Sequence, residues 1–184
     1  MEIKFSGFGG QGIIRMGMIL GRAASIFEDK HATLTQSFGP EARGGACSAQ
    51  LIVSKQPILY PYLTTPEILV AMSQEAYDRF EPSLHQEGIL LVEEDLVRTH
   101  VPRASIRQYA VPATRFAEQM GNRMFANMVM LGFVSAITGI VGKDALRKAV
   151  PGMVPDRSLE KNLVALDKGY GIGTELVAAE ASRP

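Results

Sequence analysis

Residues 3–14, Ile3-Lys4-Phe5-Ser6-Gly7-Phe8-Gly9-Gly10-Gln11-Gly12-Ile13-Ile14, decide how this chain is read. An alternating run, a loop of the form G-x-G-x-x-G and the start of an apolar-periodic stretch follow one another without a gap. Strand, glycine loop and helix N-terminus in that order let backbone N–H groups face an anion, as in dinucleotide-binding folds. A lone fingerprint of this kind is weak, so its meaning rests on the residues around it.

Working outward, Ile13, Met16, Ile19, Leu20, Ala23, Ala24 and Phe27 recur at helical spacing and predict a helix over 12–27. The β-branched run 31–36 predicts a second strand, giving a βαβ unit with a right-handed crossover. A glycine-rich connection, 37–46, leads to a strand over 47–54, and Pro57, Pro61 and Pro66 make the next stretch irregular. Strands are predicted at 68–72, 88–92 and 106–110, and helices at 74–84, 113–120, 143–149 and roughly 158–169, with the Ala/Glu-rich tail beyond Gly173 either extending the last helix or fraying. The alternation predicts an α/β fold: a single Rossmann-like domain over 1–184, with a largely parallel sheet and helices on both faces.

Lys and Arg together number 19, as do Asp and Glu, so the formal net charge is zero. Residues 1–92 carry 7 basic and 9 acidic side chains, and the remainder 12 and 10. Neither half has the positive bias of a nucleic-acid or acidic-membrane binder. Met124 to Val141 is uncharged over 18 residues, but Asn127, Gly132, Ser135, Thr138 and Gly139 dilute it, so it reads as a helix buried on all sides. With no leader pattern at Met1-Glu2-Ile3-Lys4, the expected compartment is the cytoplasm.

The chemistry legible in the motifs is sparse. Cys47 is the single cysteine and His31, His85 and His100 are scattered, so no metal site is expected. Cys47 reads as a small buried hydrophobe ahead of a reactive thiol. A nicotinamide site places an acid at the end of the second strand. Here that strand closes on Gln36-Ser37, and Glu28 and Asp29 fall before it, at the wrong end of the sheet. There is no G-x-S-x-G elbow and no P-loop. A second loop, Gly39 to Gly45, sets Glu41 and Arg43 among small residues; its guanidinium suits an anion, or a turn-shaping ion pair. Loops able to touch an anion thus sit on a chain with no catalytic set.

Gly7-Phe8-Gly9-Gly10-Gln11-Gly12 and Thr35-Gln36-Ser37-Phe38-Gly39-Pro40-Glu41-Ala42-Arg43-Gly44-Gly45, taken together, resemble the gamma subunit of 2-oxoacid:ferredoxin oxidoreductases. The resemblance continues through Ser54, Pro57-Ile58, Tyr60-Pro61, Leu69 to Asp78 and Asn127, covering about residues 3–141. The wording of the second loop is most similar to the 2-oxoglutarate branch, with pyruvate, branched-chain 2-oxoacid and indolepyruvate branches still open.

The resemblance implies a multisubunit enzyme that oxidatively decarboxylates a 2-oxoacid to an acyl-CoA, carbon dioxide and reduced ferredoxin. Thiamine diphosphate is then held by alpha and beta partners and iron–sulfur clusters by partner chains, a delta subunit among the candidates. The sequence agrees with that division, having no cluster-forming cysteine set and no Gly-Asp-Gly thiamine signature. What carries over to this chain is a ligand-facing role for Gly9, Gly10, Gln11, Gly12, Arg43, Gly44 and Gly45, toward coenzyme A or a neighbouring subunit. No residue is assigned catalysis or metal binding. The competing classes are a free-standing nucleotide-binding oxidoreductase and a ligand-free homo-oligomeric scaffold. An isolated chain is expected to self-associate, as a homodimer, through surface its partners otherwise cover.

Overall fold

β1 (Glu2–Phe8) alternates as its sequence does, with Ile3 and Phe5 fully buried on one side and Lys4 turned to the other. The glycine loop leads into α1 (Ile13–Phe27), whose Ile13, Met16, Ile19, Leu20, Ala23 and Ala24 form the buried stripe that the periodicity predicts. β2 (His31–Phe38), β3 (Ala46–Ser54), β4 (Ile68–Ala71), α2 (Gln74–Phe80), β5 (Ile89–Glu93) and β6 (Arg107–Val111) follow. The chain continues through α3 (Ala113–Gln119), α4 (Ala126–Thr138), α5 (Lys143–Ala149) and α6 (Leu159–Ala181). The computed structural model describes residues 1–38, 46–100 and 105–182.

The strands form one sheet in the order β2-β3-β1-β4-β5-β6. β1, β4, β5 and β6 pair in parallel, whereas β3 is antiparallel to both its neighbours. Five strands therefore run one way and β3 runs against them, which is the largely parallel α/β sheet that the sequence predicts. One detail differs. The second strand of the β1–α1–β2 unit does not lie beside the first, because β3 is inserted between them. The connection after Phe38 is short enough to return β3 directly alongside β2, and β3 offers Ala49, Leu51 and Val53 to the core under α1.

Helices cover both faces, unequally. The larger core joins one face of the sheet to α1, α3, α4, α5 and α6. On the other face Leu69, Ala71, Leu90 and Val92 meet Tyr77 and Phe80 of α2, with Leu84, Val97 and Ile106. β4 and β5, covered on both sides, are buried at every position, as parallel central strands require.

α4 is the helix buried on all sides that the uncharged run predicts: its first ten residues, Ala126 to Ser135, are all buried. It has 13 residues and ends at Gly139, with φ 62°. No described helix is long and apolar enough to cross a membrane. α6 closes over it at short range. A Cβ on Gly169 would stand 1.8 Å from the Val129 carbonyl oxygen, and one on Gly132 would stand 2.0 Å from that of Leu166. The two backbones meet where neither side can carry a side chain.

That crossing explains why α6 runs on past 169 and takes up the tail as an extension of the helix. Gly169 and Gly173 pack against α4, and the helix continues to Ala181. The Tyr109 hydroxyl, 2.8 Å from Glu180 Oε2, fastens its far end to β6. Conversely, α2 stops short of its predicted end at 84. Pro82 withholds an N–H, and the chain tightens into a 3₁₀ turn over Glu81–Ser83.

The stretch between β3 and β4 is irregular, as its prolines predict. It leaves Leu59 95%, Tyr60 62% and Tyr62 57% exposed, the two rings edge-on at 5.6 Å.

Candidate functional site: a cleft at the carboxyl ends of the strands

β1, β4 and β5 end on the same edge of the sheet, where open α/β folds take their ligands. A cleft of about 220 Å³ lies there. Phe8, Gly9, Gly10 and Gln11 form one wall and Met72 the floor beyond β4. Leu96 and Thr114 come from the segments after β5 and β6, and Arg123, Met124 and Ala126 from the start of α4.

The glycine loop is held shut by its own glutamine. Gln11 Oε1 accepts the Phe8 N–H at 2.7 Å, and Gln11 Nε2 donates to the Met72 carbonyl at 2.9 Å. One side chain thus pins the loop to the ends of two strands, which makes Gln11 a positioning residue with its amide engaged inside the protein. Gly12 is constrained twice. Its φ is 79°, and a Cβ there would fall 2.2 Å from Asn127 Nδ2 in the first turn of α4. Asn127 is itself buried, and its Oδ1 has no hydrogen-bond partner among the described residues.

The cleft favours negative charge. Among the described residues no acceptor takes the N–H of Gly9 or Gly10. α1 and α4 both start beside it, and neither has an acidic residue in its first turn. Their N-terminal dipoles and the Arg123 guanidinium add up in one place.

Below the rim Glu93 is fully buried and ties two lining segments together. Its carboxylate accepts the Leu96 N–H at 2.8 Å and the Thr114 N–H at 2.9 Å. Burial pushes its pKa above the ordinary value of 4.5, against the downward pull of those donors. Both oxygens are occupied, so Glu93 shapes the cleft from beneath.

Of the residues that the sequence singled out, Gly9, Gly10 and Gln11 line this cleft, and Gly12 follows them as the N-cap of α1. Arg43, Gly44 and Gly45 lie outside the described residues. Pairing of Phe8 with Ala46 sets the start of β3 beside the glycine loop. Cys47 is buried opposite Gly7, and burial raises its thiol pKa, in keeping with its reading as a small hydrophobe. Glu28 lies before β2, where it accepts the Gly142 N–H and pairs with Lys30 at 2.7 Å. No acid stands at the described end of β2 to hold a ribose. Arg123, Leu96, Thr114 and Glu93 escaped the sequence reading. The one signal for them was their position just after an apolar strand or just before an apolar helix.

A glycine loop at the carboxyl ends of a largely parallel sheet, with a cleft beside it and no acid–base pair lining that cleft among the described residues, defines a Rossmann-like α/β domain. The profile of the family described as pyruvate ferredoxin/flavodoxin oxidoreductase matches residues 2–172, and the chain belongs to that family. It is 47% identical to 2-oxoglutarate synthase subunit KorC of Methanocaldococcus jannaschii over 177 residues, covering 95% of each chain. Ketoisovalerate oxidoreductase subunit VorA of Methanothermobacter marburgensis is 33% identical, over 92% of this chain but only 36% of its own length. Among solved structures, a keto/oxoacid ferredoxin oxidoreductase gamma subunit from Geobacter sulfurreducens superposes with a TM-score of 0.82 at 40% identity, covering 94% of this chain and 97% of that one.

Proposed function

We propose that this chain is the gamma-type subunit of a multisubunit 2-oxoglutarate:ferredoxin oxidoreductase. The enzyme oxidatively decarboxylates its 2-oxoacid with coenzyme A, yielding an acyl-CoA, carbon dioxide and reduced ferredoxin. The observation that carries this reading is end-to-end likeness to KorC, 47% over 95% of both chains, joined to a cleft built for an anion and lacking acid–base machinery.

Iron–sulfur clusters do not fit this chain's own donors, and thiamine diphosphate goes by the resemblance to partner subunits. Cys47 is its one cysteine, and the described residues hold no cluster of metal-binding side chains. Those groups belong in this reading to the alpha, beta and delta subunits, which also meet ferredoxin. What this chain contributes is binding and orientation. The N–H groups of Gly9 and Gly10, the N-termini of α1 and α4, and Arg123 receive a phosphate of coenzyme A. Arg43, Gly44 and Gly45 serve the same ligand from the neighbouring loop, or contact a partner subunit. Gln11 and Gly12 hold the first loop in the conformation that does this.

The test is kinetic, on the assembled enzyme. Arg123→Ala and Arg43→Ala should each raise the KM for coenzyme A by about tenfold, the loss of roughly one charge-assisted hydrogen bond. The KM for 2-oxoglutarate and the unfolding temperature should stay unchanged. Unaltered use of coenzyme A in both variants would remove the ligand role. Robust acceptor reduction by the purified single chain would remove the subunit reading itself.

A further inference from the structure

The end of the sheet opposite the cleft carries an apolar surface with no partner in the fold. Between β3 and β4 the chain runs Pro57-Ile58-Leu59-Tyr60-Pro61-Tyr62-Leu63, and over 55–66 Lys55 is its only charge. Leu59 is 95% exposed, Tyr60 62% and Tyr62 57%. Elsewhere on the helices exposed apolar side chains stand singly, as Val164 on α6, or in adjacent pairs, as Ile26-Phe27 and Leu176-Val177, which is ordinary for a protein surface. Here three fall within four positions. They are of the types that anchor interfaces, and prolines that limit the entropy lost on docking stiffen the segment.

We infer that Leu59, Tyr60 and Tyr62 are the anchor through which this chain docks onto another subunit of its oxidoreductase, an inference that rests on the subunit reading above. The occupant is the subunit that supplies what the remainder of VorA supplies within one polypeptide. In that relative the matching domain is 36% of the length, so roughly two-thirds of the chain is always present beside it. A chain of KorC length must find that neighbour as a separate subunit. The chemistry required of it is a concave apolar patch with carbonyl or carboxylate acceptors for the two phenol hydroxyls.

The three side chains present on the order of 400 Å², about half of one side of a standard interface, so they are the anchor of a larger contact. Charge argues against a lipid surface, since peripheral membrane segments pair apolar residues with clustered Lys and Arg.

The experiment uses the complete set of subunits, co-expressed and purified through a tag on a partner, with native mass measurement of the occupancy of this chain. Leu59→Glu and the double variant Tyr60→Ala/Tyr62→Ala should lower the affinity for the complex at least about tenfold. Each variant alone should keep its unfolding temperature. Ile26→Ser, equally exposed but elsewhere, should keep full occupancy. Occupancy unchanged in both loop variants overturns the inference, as does equal loss in Ile26→Ser. It is also overturned if the variants abolish self-association of the isolated chain in sedimentation while complex occupancy stays intact, which assigns the surface to a second copy. Failure of the wild-type chain to enter the complex is a separate result. It removes the subunit reading, and this inference with it.

Discussion

The two ends of the sheet are built on opposite principles. At the carboxyl ends the chain is over-determined: Gln11 bonds both Phe8 and Met72, Gly12 has no room for a Cβ, and Glu93 ties Leu96 to Thr114. At the amino ends the stretch after β3 spends its large side chains on solvent, with Leu59 almost wholly exposed. A site that must present backbone N–H groups at fixed positions has to be finished before its ligand arrives. A docking surface needs only the right side chains on a stiff support, because its partner completes the packing. A glutamine-pinned glycine loop marks the first end; at the second, Met1, Glu2 and Glu67 bond the strand starts together while the aromatics of the stretch after β3 stay exposed.

The contrast is broken most severely at Gly12. Gly12→Val combines an unfavourable φ with a collision at Asn127 and should cost about 3 kcal/mol or more, read by urea unfolding. Gln11→Ala removes two hydrogen bonds and should cost about 1–3 kcal/mol, with a raised KM for coenzyme A in the complex. Glu93→Gln tests the support beneath the cleft through pH. The folded-state pKa of Glu93 is raised, so above 4.5 the folded chain keeps a proton that the unfolded chain releases. Wild-type stability should therefore fall as pH climbs from 4.5 through the raised value, and the variant's unfolding curves should lack that fall. Smallest is Leu59→Glu, which should leave the stability of the isolated chain within about 0.5 kcal/mol. A loss there as large as that of Gln11→Ala would erase the distinction between the ends. A Gln11→Ala/Leu59→Glu double variant should give the sum of the single effects, since the two sites share no partner.

Much of this was legible in the residues. The glycine loop announced its strand, its turn and its helix because spacing alone carries that information, and the uncharged run from Met124 announced a helix buried all round. What failed to show was whatever depends on a meeting of distant segments. Arg123 reaches the cleft because α4 starts where β1 ends, more than a hundred residues earlier in the chain. Gln11 looked like a ligand-facing residue of the loop, and only the arrival of β4 shows its amide engaged by the Met72 carbonyl. Insertion of β3 between β1 and β2 could not be read because a hairpin and a crossover leave the same alternating pattern. Whether the tail extends α6 or frays stayed open for a related reason, since the helix it packs against overrides local propensity.

The close crossing of α4 and α6 also sets the order of events during synthesis. α4 leaves the ribosome as an apolar rod, and the helix that shields its outer side is the last of the twelve elements to be made. Until residues 159–181 emerge, the nascent chain displays its stickiest segment to everything nearby. Translation that stalls before that point leaves α4 uncovered on that side, a product fit for chaperone capture or degradation.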